Sequence, residues 1–122
     1  MRKKNILFAL ACAALCYSCY YHKEDLLYGN IACDTSNVTY SGTITGIIHN
    51  YACLTCHGGT APIGSFNLET YAEVKAKVTD GRLFGAINHT SGYIPMPQAV
   101  GKMSPCDINK VKAWIDAGAP NN

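Results

Sequence analysis

Apolar positions along this chain fall at helical spacing in several stretches and alternate over no useful length, so the pattern predicts helices and no strands. Ile44, Ile47, Ile48 and Tyr51 stand at i, i+3, i+4 and i+7, one face of an amphipathic helix. Ser41 or Thr43 is placed to cap its start, and the helix is expected to run directly into Cys53. A second helix is predicted from an Asn67 cap through about Val78, with Leu68, Tyr71, Ala72, Val74 and Val78 apolar and Gly81 closing it after Asp80. Leu83, Phe84 and Ile87 add a further turn or two before Ser91-Gly92. The last element carries the fullest set of signals. Ser104 is an N-cap, Pro105 suits the first helical position, and Asp107 stands three residues after the cap. Ile108, Val111, Trp114 and Ile115 then make one face, and Gly118 and Pro120 end it. The expected fold class is all-α, without internal repeats.

The first residues follow a different logic. Arg2-Lys3-Lys4 precedes an apolar run from Ile6 to Leu15, too short to span a bilayer and of the form of an export signal. Leu15-Cys16-Tyr17-Ser18-Cys19 resembles a bacterial lipobox, which makes Cys19 the expected lipidated N-terminus; Cys12 is a rival, and ordinary signal cleavage a third reading. The organisation predicted is a signal at 1–18, a polar tether at 19–40 and a folded domain at 41–122. Cleavage at Cys19 turns the formal charge of +2 for all 122 residues into −1, because three basic residues leave with the signal and all eight acidic ones stay. A clustered basic face of the kind nucleic-acid binding requires is missing from this sequence. Seven cysteines in so short a chain suit an oxidising compartment, which export would supply.

Candidate chemistry centres on Cys53-Leu54-Thr55-Cys56-His57. Two thiols separated by two residues can each add to one vinyl group of a haem, and the following histidine supplies an axial imidazole; the spacing reads as a c-type haem attachment site. Composition alone gives roughly 0.01 chance matches to the pattern in a chain of this length. A redox dithiol or half of a zinc site are the other readings of Cys-x-x-Cys. The first wants a βαβ context and the second another ligand pair, and the sequence offers neither. Gly58-Gly59 lets the backbone turn sharply beside the histidine. The imidazole is expected to donate its second N–H to a carbonyl within residues 58–64.

A sixth iron ligand has several candidates: Met96, Met103, His89, His49 and His22. Met96 lies in Tyr93-Ile94-Pro95-Met96-Pro97, where the flanking prolines stiffen the loop that presents a weak thioether ligand. Met103 sits just before the last helix, with an ordinary place in the core or on the surface as its other reading. His89 would give a bis-imidazole haem of lower potential. His49 is expected to be exposed on the first helix, and His22 lies in the tether.

Taken in order, Cys53-Leu54-Thr55-Cys56-His57, Ile94-Pro95-Met96-Pro97 and the terminal helix with Trp114 resemble a class I cytochrome c domain, c551-like in its Pro-Met-Pro loop, over roughly residues 40–120. The lipobox and the ending Trp114-Ile115-Asp116-Ala117-Gly118-Ala119-Pro120 are similar to those of bacterial cytochrome c lipoproteins. The resemblance implies a small helical domain wrapped around one covalent haem c held by Cys53 and Cys56, with His57 proximal and Met96 distal. One departure is the lack of a Gly-x-x-x-aromatic contact motif on the first helix, which Gly46 and Tyr51 only approximate.

With Cys12 and Cys16 in the signal, Cys19 lipidated and two cysteines on haem, Cys33 and Cys106 remain; they form a disulfide or stay as two free thiols. The function expected is electron transfer rather than catalysis on a substrate, with redox proteins as partners. Its place is the periplasmic or cell-surface side of a bacterial membrane, held by lipid. A haem-based sensor with an open sixth site, and a haem-free, disulfide-stapled structural lipoprotein, are the alternatives.

Overall fold

A computed structural model describes residues 33–122. The expected signal, the candidate lipidation cysteines Cys12 and Cys19, Cys16, His22 and the expected tether as far as residue 32 lie outside the described residues. Cys33–Asn122 forms one compact unit, so the end of the expected tether belongs to it. The order is a π-helical turn (Tyr40–Ile44), α1 (Thr45–Asn50), α2 (Cys53–His57), a 3₁₀ turn (Ile63–Ser65), α3 (Tyr71–Thr79), α4 (Arg82–Ile87) and α5 (Pro105–Asp116). Among the described residues there is no strand, and the domain is all-α. No helix among them is long and apolar enough to cross a membrane.

The first helical segment begins earlier than its apolar face indicates. Thr39, rather than Ser41 or Thr43, is the cap: its hydroxyl accepts from the Gly42 N–H at 3.2 Å, and its carbonyl takes the Thr43 and Ile44 amides at 3.1 and 3.0 Å. Five-residue closure of this kind widens the turn. Tyr40 and Ser41 present free amides at the helix start, and Asn122 satisfies both, its side-chain oxygen at 2.8 Å and its carbonyl at 2.9 Å. Ile44, Ile47 and Ile48 are buried as the spacing predicts.

The expected second helix starts three residues later than its Asn67 cap. Thr70 caps it instead, in a reciprocal arrangement with Glu73, whose carboxylate accepts from the Thr70 amide at 2.8 Å. Two capping donors are thereby satisfied at once, which a lone Asn cannot match. Gly81, at φ 76°, follows its C-cap Asp80. Ser104 and Pro105 open α5 as expected, with the Ser104 hydroxyl accepting from the Asp107 amide at 3.1 Å. Its end is a Schellman closure: the Ala119 amide bonds the Trp114 carbonyl at 2.8 Å and the Gly118 amide bonds Ile115 at 2.9 Å.

The core lies between the first helical segment and α5. Trp114, Ile44 and Val74 are its largest fully buried side chains. Tyr40 stacks on Trp114 with ring centroids 5.9 Å apart and meets Tyr71 edge-on at 5.1 Å. The aromatic contact between first and last helical segments thus comes from Tyr40, ahead of the helix, while a Cβ added at Gly46 would meet nothing within 4 Å. Tyr51 adds a polar link, donating to Asp107 at 2.9 Å and accepting from the Ser104 amide at 3.0 Å. The sulfurs of Cys33 and Cys106 lie at bonding distance, 2.09 Å, joining the domain's first described residue to the first turn of α5.

Candidate functional site

The Cys53–His57 motif sits on a helix of its own. α1 closes with the Tyr51 amide on the Ile47 carbonyl and the Ala52 amide on His49, and Ala52 then adopts the left-handed conformation at φ 53°. This break separates α1 from α2, where an uninterrupted run into Cys53 was expected. The Thr55 amide returns to the Ala52 carbonyl at 3.1 Å and opens the new helix.

On α2 the two cysteines stand at i and i+3, on one helical face. Both are free thiols, Cys53 half-buried and Cys56 exposed. Burial pushes the Cys53 thiol above its ordinary pKa, keeping it protonated at neutral pH. His57 ends the helix and is buried, with 7% of its surface exposed. Its ring stacks on Phe66 at 4.3 Å between centroids, nearly parallel at 18°. Nδ1 of that ring is buried and has no hydrogen-bond partner, so the carbonyl expected within residues 58–64 is not there.

The chain after His57 folds back to enclose the ring. The His57 carbonyl accepts from the Leu68 amide at 2.8 Å, closing the intervening loop on its origin. Inside it, Asn67 donates to the Gly59 carbonyl at 3.2 Å and Glu69 accepts from the Gly59 amide at 3.1 Å. Gly58 is required by close approach, since an added Cβ would lie 2.6 Å from the Leu54 carbonyl oxygen. Asn67, expected as a helix cap, is therefore a loop-closing residue. From α3, Lys77 sets its ammonium over the Phe66 ring, 5.0 Å from the centroid.

Met96 lies on the loop between α4 and α5, half-buried, with its amide on the Ala86 carbonyl at 3.0 Å and its own carbonyl 3.1 Å from the His89 ring Nε2. Met103 is a core residue, 4% exposed. His49 is exposed, as its position on α1 predicts. Among the described residues no three His, Cys, Asp or Glu side chains gather as a metal site. Phe66 is the residue beside the site that the sequence pattern passed over; a lone aromatic in a loop, ten residues past a motif cysteine, was its one signal. Comparison of the chain with protein-family models, with characterised proteins and with solved structures finds no match.

Proposed function

We propose that this chain is an exported, lipid-anchored, mono-haem c-type cytochrome that carries electrons between protein partners. The observation that carries the proposal is the set of donors on α2: two free thiols on one helical face, followed at once by a buried imidazole at the helix end. The donor set fits the group. Each cysteine S–H would add across one vinyl, giving two thioethers and leaving the porphyrin's electron count otherwise unchanged. When bound, the haem supplies a one-electron iron couple.

The residues of the chain then have distinct tasks. Cys53 and Cys56 tether, and His57 ligates from a ring held in orientation by Phe66. Met96, on its stiff loop, is the sixth ligand in this reading, and a thioether there raises the potential relative to a second imidazole. Cys19 would carry the lipid.

Expression in a host with haem-attachment machinery tests this directly. The expected product keeps its porphyrin through acid–acetone extraction, gains one haem in intact mass, and shows a methionine–iron charge-transfer band at the red end of the ferric spectrum that Met96→Ala removes. A colourless exported protein overturns the proposal. Ready CO binding by the ferrous wild-type protein would instead favour a sensor with an open sixth site.

A further inference from the structure

Helix α4 carries a glycine in its interior, Gly85, a residue that weakens a helix relative to alanine and so calls for a packing reason. The reason is Tyr93. A Cβ at Gly85 would lie 2.6 Å from three carbons of the Tyr93 ring, and one at Gly81 would lie 3.4 Å from its hydroxyl. Gly81 and Gly85 thus leave a groove one turn long on α4, and the tyrosine lies along it.

The backbone is fastened at the same place. The Thr90 amide bonds the Gly85 carbonyl at 2.9 Å, the Tyr93 amide bonds Thr90 at 3.2 Å, and the Met96 amide bonds Ala86 at 3.0 Å. The Met96 carbonyl can only accept, so His89 Nε2, 3.1 Å away, is the donor. His89 itself sits at φ 58°, a left-handed conformation that costs a non-glycine residue energy and turns its ring toward the loop. Met96 is therefore held through both of its backbone polar groups.

We propose that Gly85, Tyr93 and His89 form a clamp that positions Met96, with His89 acting as a positioning residue and not as a ligand. This rests on the reading of Met96 as the sixth iron ligand. The clamp gives a weak thioether donor a fixed place, so that little ordering cost falls on the Met96–iron bond. Its parts are separable: His89 is exposed and its loss leaves the core untouched, whereas Gly85→Ala drives a methyl group into the Tyr93 ring.

The test compares the haem-loaded wild-type protein with His89→Ala, His89→Gln, Gly85→Ala and the double variant Gly85→Ala/Tyr93→Ala, using Gly46→Ala as a control in open space. Two measurements are made: the methionine–iron band and the hydrogen-exchange protection of the Met96 amide. Loss of one hydrogen bond predicts about fivefold to tenfold faster exchange in His89→Ala, with a weakened band and increased CO binding. His89→Gln, which keeps a donor, should recover part of both. Removing the tyrosine ring should restore helix content lost in Gly85→Ala without restoring the band. Wild-type band and Met96 protection in His89→Ala overturn the clamp alone. A wild-type protein that holds haem but lacks the band overturns the reading of Met96 as ligand, and the clamp's role with it.

Discussion

At the scale of single residues, Ala52 and Gly58 bracket the Cys53–His57 motif, and both positions disfavour a Cβ. Gly58 must lack a Cβ, because the Leu54 carbonyl stands where one would go. Ala52 has a Cβ in a conformation that penalises it, at φ 53°, with a cost of about 1–2 kcal/mol for an L-residue. That strain buys the break that sets α2 apart from α1. Ala52→Gly relieves it while raising the entropy of the unfolded chain, and the difference should leave the protein about 0.5–1 kcal/mol more stable. A denaturant titration reads this as a higher midpoint at unchanged slope. An unchanged or lower midpoint would mean that the turn is already relaxed around alanine.

At the scale of elements, much of the fold was legible because helix faces and caps leave local marks. Ile44, Ile47 and Ile48, the Ser104-Pro105 start of α5 and the glycine ends of α3 and α5 all stand where pattern and capping chemistry put them. Two things escaped. The Thr70 cap was passed over for Asn67, although Thr70 and Glu73 stand at the capping-box spacing that the structure uses. The break at Ala52 left no mark, since alanine is the strongest helix former and only the packing around it sets its conformation. The site shares this division: the motif is local and readable, while Phe66 against His57 arises from a loop closing on itself. Thr70→Ala should cost about 1 kcal/mol as the loss of a helix cap. Its mark on titration is more specific. The Thr70 hydroxyl, and then its amide, hold the Glu73 carboxyl below its ordinary value of 4.5. A depressed folded pKa contributes stability above the ordinary value that disappears as pH falls through the folded one. NMR titration should therefore place Glu73 below 4.5 in the parent and higher in Thr70→Ala, where the backbone amide still holds it down, with less acid-linked loss of stability in the variant below about pH 4.5.

Across the whole domain, segments far apart in sequence are fastened by three different kinds of contact: the Cys33–Cys106 bridge, the stacking of Tyr40 on Trp114, and the Asn122 bonds to the amides of Tyr40 and Ser41. They act on different states. Stacking and amide bonds stabilise the folded chain, whereas a disulfide spanning 73 positions works mainly by restricting the unfolded one. Replacing both cysteines by serine should thus lower stability by up to about 4 kcal/mol while leaving the helical content of the folded protein intact. It should also steepen the denaturant dependence, because an unfolded chain without the bridge exposes more surface. Single replacement distinguishes this from a local packing effect. Cys33→Ser and Cys106→Ser should each lose about as much as the double variant, since either one opens the same loop; losses that add would show that the two side chains stabilise the domain separately.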